Sequence, residues 1–268
     1  MNRSVHWLRR HPLLGYFALT YGISWIGIVV LLSATNFKLT ALRPLDTGLV
    51  FISMLLGPSI AGLTMTGLSD GRTALLALRS RFLRWRVAPR WYAYALLTMP
   101  ALMLAVLWPF SLVVTPAFAP RFQCPLFVIG LIAGTFEEIG WTGFATPRLL
   151  ERQRPFVTGL TLGLVWAVWH LLVDFRQNFS TMGAEWLLEF AVLYLATLTA
   201  YRILMTWLYA RTASVLLAVL MHASYTGWLF VLFPTTSFEQ ALAWQTTLAA
   251  ALWSLVAVVS LRNPSIDP

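Results

Sequence analysis

The chain has 268 residues, 59% of them hydrophobic and 11% charged, and that charged share is less than half of the roughly 25% usual for soluble domains. A water-soluble enzyme or carrier is thereby excluded, and the composition is that of an integral membrane protein. The net charge of +9 would suit a nucleic-acid binder, but on so apolar a chain a basic excess is read as membrane orientation, with no nucleic-acid partner.

In chain order, apolar runs fall at 13 to 33, 48 to 68, 91 to 114, 125 to 145, 156 to 175, 185 to 205, 212 to 233 and 241 to 261. Each is near the roughly 20 residues that cross a bilayer, so they predict an all-α polytopic membrane helical bundle of about eight transmembrane helices. The first run follows Arg9 and Arg10 but is longer than a signal-peptide core and lacks a small-residue cleavage site, so it reads as a span. With the N-terminus inside, Arg3, Arg9, Arg10, Arg72, Arg79, Arg81, Arg84, Arg86, Arg90, Arg148, Arg152, Arg154, Arg202, Arg211 and Arg262 fall on the cytoplasmic side. Only Lys38, Arg43, Arg121 and Arg176 fall outside. The positive-inside rule then predicts both termini cytoplasmic and a multi-pass protein of the cell membrane, with the bacterial inner membrane as the expected location.

Between the second and third runs, Ser69 to Arg90 interleaves six arginines with Leu75, Leu76, Leu78, Phe82, Leu83 and Trp85. That pattern suits an amphipathic helix on anionic headgroups, and equally a solvated loop that only sets topology. Trp7, Trp25, Trp91, Trp108, Trp186, Trp207 and Trp228 lie near predicted span ends, where indoles anchor at the interface. Glycines recur within the spans. Gly130, Gly134, Gly140 and Gly143 surround the chain's most unusual feature and would let neighbouring helices approach closely. Cys124 is the only cysteine, which excludes an intrachain disulfide, a cysteine metal cluster and a Cys-x-x-Cys motif, and reads as a structural residue at a helix start. No repeat or soluble insertion divides the chain, which is expected to form one membrane domain over 1–268.

The unusual feature is a pair of carboxylates, Glu137 and Glu138, within the fourth apolar run. A charge at the hydrocarbon centre costs roughly 2.5 to 3.5 kcal/mol even on insertion scales, so an intramembrane pair marks a candidate site. His170 and His222 lie on two further runs; the other histidines, His6 and His11, precede the first. Successive helical residues project about 100° apart, so one glutamate is expected to face a site while its neighbour braces it. Glu138 and Thr142, Trp166 and His170, His170 and Asp174, and His222 and Thr226 are i, i+4 pairs that share a face.

One glutamate and two histidines can hydrolyse a peptide bond in two ways. A glutamate can deprotonate water while the histidines and Thr226 stabilise the oxyanion. Alternatively, a divalent metal such as zinc on His170, His222 and Glu137 can acidify a bound water, with the other glutamate as base. Spacing does not choose between them, so no cofactor is assigned. A His-Glu-x-x-His helix is absent, which excludes a soluble-type zincin.

The runs Glu137-Glu138-Ile-Gly-Trp-Thr-Gly-Phe-Ala-Thr-Pro147, Trp166-Ala-Val-Trp-His170 and Arg211 through His222 to Tyr225 resemble the three motifs of the CAAX prenyl protease and bacteriocin-processing family of intramembrane proteases. The resemblance covers about residues 125 to 233, with a weaker echo at Gly57-Pro58-Ser59. It implies an intramembrane endopeptidase with a catalytic core at 125–233 and a peptide or protein substrate near the bilayer. It further implies Glu137 as the water-activating base, His170 as its partner, His222 with Thr226 as the oxyanion pair, and Glu138 as a structural or second catalytic carboxylate. Three positions depart from the family pattern: Thr142 stands where Arg is usual, Trp166 where Phe is, and Thr226 where Asn or Asp is. Without the Arg, Glu138 needs another partner, and Arg148 and Arg202 are the candidates. Glu189 and Arg202, both on the sixth run, carry no other assigned role.

The boundaries place Glu137 and His222 near mid-membrane and His170 roughly 10 Å nearer the outer face at 1.5 Å per residue, which predicts that the fifth helix continues past Phe175. Two other readings are compatible with the same residues: a non-catalytic scaffold or bacteriocin-immunity protein on this fold, and a transporter with a Glu-His proton relay. No repeated halves of the kind seen in many carriers are evident. The bias of 18 Arg to one Lys suits a GC-rich bacterial genome, in which prenylated proteins are unexpected, so the peptide substrate is open.

Overall fold

The computed structural model describes residues 3–33, 44–122 and 124–263. Lys38 and Arg43 lie outside these residues, as do the side chains of Arg3, Cys124 and Arg176. A short α1 (Arg3–Arg10) precedes α2 (Pro12–Ser33), α3 (Pro44–Phe82) and α4 (Pro89–Val113). Next comes α5 (Phe127–Gly140), which runs through a π-helical stretch, Trp141–Ala145, into α6 (Thr146–Leu150). Then follow α7 (Pro155–Met182), α8 (Glu185–Phe190), a second π-helical stretch (Ala191–Leu198), α9 (Thr199–Thr212), α10 (Val215–Leu232) and α11 (Phe238–Arg262). No strand occurs among the described residues, and the protein is an all-α, multi-pass helical bundle.

Helix starts and stops follow local chemistry. Proline opens α2, α3, α4 and α7, where its missing N–H costs nothing and its fixed φ suits the first turn. Ser214 and Ser237 cap α10 and α11 through their hydroxyls, which accept from the amides of Leu217 and Gln240. Ala213 ends α9 in the left-handed region at φ 50°. Gly71, at φ 74° and ψ −162°, breaks α3, so the apolar span and the arginine-rich helix predicted after it become two arms joined at a residue that needs no Cβ.

Among the described residues, seven helical segments are long and apolar enough to cross a membrane, one fewer than the eight expected runs. The run at 125 to 145 is the missing one. By itself α5 has 14 residues, short of the roughly 20 a crossing needs, and it gains length only through the π stretch and α6. In contrast, the fifth predicted span continues to Met182 as α7, which relieves the expected displacement of His170.

The core is dominated by aromatic side chains. Trp141, Trp166, Trp169, Trp244, Tyr16 and Tyr201 are almost wholly buried, and Arg202 lies among them. Two predicted interface anchors turn inward: Trp186 and Trp207 are 5% and 9% exposed, whereas Trp7 and Trp108 face outward. Against α5 pack α3 and α10, and α7 packs against α9. The α5–α10 contact is close because of glycine. A Cβ on Gly130 would stand 2.3 Å from the Gly227 amide nitrogen, and one on Gly134 2.7 Å from the Val219 carbonyl. Any larger residue would wedge apart the two helices that carry the glutamates and His222.

Candidate active site

Glu138 points into the bundle and is fully buried. Its Oε1 accepts Arg202 Nη2 at 2.8 Å and His222 Nδ1 at 2.8 Å. Its Oε2 accepts Arg202 Nη1 at 2.9 Å and the hydroxyl of Thr142. Four donors thus occupy the four lone-pair directions of the carboxylate, two of them as the fork of one guanidinium. This is an ionised, saturated group. Of the two candidates, Arg202 is its partner, although it was counted above with the cytoplasmic charges; it is 1% exposed and spans from α9 to α5. Arg148 instead pairs with Asp70 and stacks on Phe144, 3.7 Å from the ring centroid.

Glu137 faces a different way. Its Oε2 accepts Trp166 Nε1 at 2.8 Å, and its Oε1 stands 3.9 Å from His222 Nε2, beyond hydrogen-bonding distance. One carboxylate oxygen therefore keeps free capacity inside a site that is 4% exposed. The division expected from the 100° step holds in the geometry: Glu138 is the braced carboxylate and Glu137 the open one.

Both histidines are fixed at Nδ1. His222 Nδ1 meets Glu138, and His170 Nδ1 meets the Trp166 carbonyl at 2.9 Å. A carboxylate and a carbonyl only accept, so each Nδ1 carries a proton and each Nε2 is left for other work. Two of the same-face pairs, His170 with Asp174 and His222 with Thr226, do not supply these contacts. Asp174 accepts from Trp186 Nε1 at 2.5 Å, so His170 takes its orientation from the backbone one turn earlier. Thr226 is half-buried one turn beyond His222, and among the described contacts its hydroxyl holds neither histidine nor glutamate. Glu189, unassigned from sequence, is half-buried beside Gln245.

Trp166 joins these groups. Besides its bond to Glu137, its ring lies 5.0 Å from that of His222 and 5.8 Å from that of His170, and Arg202 Cζ sits 4.2 Å over it. Its indole N–H gives this position a hydrogen bond that phenylalanine lacks. The sequence marked Trp166 only as a ring in place of the family's Phe; its i, i+4 spacing to His170 was the available signal, but the reach across to Glu137 was not visible.

Thr142 lies in the π-helical turn that follows α5. The widened turn lets Thr146 donate to the Trp141 carbonyl at 2.8 Å, and the Gly143 carbonyl receives Arg81 Nη2 at 3.1 Å from the second arm of α3. Such bulges are frequent at functional sites.

The metal alternative on His170, His222 and Glu137 does not match this donor arrangement. Among the described residues no three His, Cys, Asp or Glu side chains gather as a set able to ligate a metal ion, and all four directions of Glu138 are taken by protein donors.

Comparison with known proteins identifies the same part of the chain. A family model described as type II CAAX prenyl endopeptidase Rce1-like matches residues 119–228. CAAX prenyl protease 2 of Methanococcus maripaludis is 28% identical over 108 residues. That alignment spans 40% of this chain and 40% of the archaeal protein. The matched segment contains Glu137, Glu138, Trp166, His170, Arg202, His222 and Thr226.

Proposed function

We propose that this chain, which is similar through residues 119–228 to the Rce1-like family, is an intramembrane endopeptidase of the CAAX type whose base is Glu137. The observation that carries the reading is the unequal satisfaction of the two glutamates. Glu138 is saturated by four donors, whereas Glu137 has one donor and an oxygen 3.9 Å from His222 Nε2. A water beside that gap would reach both Glu137 Oε1 and His222 Nε2 at hydrogen-bonding distance.

In the reaction, Glu137 takes a proton from this water as the oxygen attacks the scissile carbonyl carbon. His170 accepts from the water through Nε2. Glu138 at Nδ1 stabilises the doubly protonated form of His222, whose Nε2–H donates to the developing oxyanion, with the Thr226 hydroxyl as a second donor. The proton on Glu137 then passes to the leaving nitrogen as the C–N bond breaks, yielding a carboxylic acid and an amine. Trp166 keeps Glu137 aimed, and Arg202 keeps Glu138 charged.

The substrate is a peptide or protein tail held at the bilayer, the whole chain acts as one membrane domain over 1–268 with its core at 125–233, and the arginine-rich ends face the cytoplasm. The archaeal relative's name makes a prenylated CAAX tail the first substrate to test. Purified protein in lipid nanodiscs should cleave a farnesylated CAAX peptide, and Glu137→Gln should remove that cleavage while leaving insertion and folding intact. Equal turnover by wild type and Glu137→Gln would sink Glu137 as the base, and cleavage by neither would favour the non-catalytic scaffold.

A further inference from the structure

Beyond Gly71, the second arm of α3 and the turn after it carry six arginines and no acidic residue between Arg72 and Arg90, and the chemistry above uses none of them. The inner face of this arm is accounted for by packing. Leu78 is 4% exposed in a cluster with Tyr209, Val215 and Val219, and Phe82 lies against that cluster. Arg81 turns the same way, donating Nη1 to the Tyr209 hydroxyl at 2.8 Å and Nη2 to the Gly143 carbonyl at 3.1 Å. Just past the helix, the Arg84 carbonyl accepts the Ser214 hydroxyl at 2.7 Å.

These contacts fix the height of the arm. Tyr209 is in the last turn of α9 and Ser214 caps α10, so the arm lies across the turn between the apolar segments Glu185–Thr212 and Val215–Leu232. Non-helical backbone between two spans belongs at the edge of the hydrocarbon.

The outer face has no such account within the bundle. Arg72, Leu76, Arg79 and Leu83 follow one another at the three- and four-residue spacing of a single helix face and are all exposed. Beyond them Trp85 is exposed as well, with Arg86 Cζ 5.1 Å from its ring centroid. Water gives the leucines and the indole nothing, and hydrocarbon would reject the guanidinium groups. At the boundary both kinds of side chain are satisfied, because leucine and indole reach acyl chains while arginine meets phosphate. An acidic protein would answer the charge but leave the interleaved apolar side chains, set at headgroup level, without a purpose.

We propose that the outer face of residues 72–86 is a docking surface for anionic phospholipid headgroups, with Leu76, Leu83 and Trp85 among the first acyl carbons and Arg72, Arg79 and Arg86 on the phosphates. The peptidase reading is not needed for it. Gly143, which Arg81 holds, is six residues and roughly 9 Å along the helix from Glu137. The docked arm therefore sets the level of the headgroups relative to the glutamates.

Dioctanoyl phosphatidylglycerol, titrated by calorimetry into the full chain in a neutral detergent, should bind saturably and more tightly than dioctanoyl phosphatidylcholine. Arg72→Gln, Arg79→Gln and Arg86→Gln should each weaken that binding by about fivefold and together remove the preference for the anionic lipid, with thermal unfolding unchanged. Leu76→Ser with Leu83→Ser should weaken the binding of both lipids. Arg152→Gln with Arg262→Gln, at exposed arginines outside the arm, should leave both affinities as in wild type. Equal affinity of the wild type for the two lipids would overturn the proposal, and so would full phosphatidylglycerol binding by the triple arginine variant. An equal loss in the Arg152 and Arg262 variant would also overturn it, since net charge alone would then be at work. Binding of a soluble polyglutamate peptide without binding of phosphatidylglycerol would assign the face to an acidic protein instead.

Discussion

Glu137 and Glu138 are adjacent on α5, and the two regions they enter are built on different principles. The Glu138 side is a closed network in which a guanidinium, a threonine and a histidine satisfy one carboxylate at 0% exposure. On the Glu137 side there is one indole donor, a histidine nitrogen just out of reach and a half-buried second histidine. A fully paired buried charge is a structural element whose loss is felt as unfolding. A partly paired one retains the capacity to accept a proton, which is what a base requires. The comparison teaches that carboxylates in lipid are distinguished by the donors that meet them, not by depth or by sequence position.

Substitutions can break this contrast in graded steps. The largest effect on activity belongs to Glu137→Gln, which should lower kcat by about 10² to 10⁴-fold, the range of general acid–base catalysis, with thermal unfolding in detergent unchanged. Arg202→Met should do the reverse, leaving Glu138 buried without its guanidinium. A loss of about 3 to 5 kcal/mol is expected for one member of a buried pair, read as a fall in unfolding temperature before any assay of turnover. Adding Glu138→Gln to Arg202→Met should recover part of that stability, since the uncompensated charge is then gone. Trp166→Phe restores the family's usual ring and deletes the donor to Glu137. Its expected cost is about 1.5 to 3 kcal/mol, the value of a hydrogen bond to a charged group, seen as a reduced kcat with near-normal folding. At the bottom of the scale is the rim pair of Arg148 with Asp70, whose side chains are 17% and 50% exposed. Asp70→Asn should change stability by no more than about 1 kcal/mol, as for other exposed ion pairs. If Asp70→Asn proved as damaging as Arg202→Met, burial would not be the variable that separates these two pairs.

Some of this arrangement was legible from residue order. Charges in an apolar run marked the site, the helical step separated the roles of its two glutamates, and the missing arginine at position 142 showed that Glu138 needed a distant partner. Arg202 was one of two named candidates, yet the count of cytoplasmic charges had placed it outside the membrane. Positional charge counting cannot see that a guanidinium near a predicted span end folds inward to meet a carboxylate. The run at 125 to 145 was legible as apolar and helical, but the π-helical turn directly after the glutamates was not, because hydrophobicity carries no information about helix pitch. Similarly, Trp186 reads as an interface anchor until Asp174 is seen at its indole nitrogen.

Composition and periodicity alone determined that this is a membrane-embedded helical bundle, because a chain that is 59% hydrophobic must satisfy its backbone within helices when it leaves water. They also determined which four ionisable side chains were costly enough to need a purpose. What the tertiary structure alone decided is which oxygen meets which nitrogen. Glycines at the α5–α10 contact, where a Cβ would stand only 2.3 to 2.7 Å from the facing backbone, bring His222 to Glu138, and the packing of α7 on α9 brings Trp166 and Arg202 across to the same point. Hydrogen bonds are satisfied over fractions of an ångström, and a distance of that size between separate helices is a property of packing that no spacing along one chain contains.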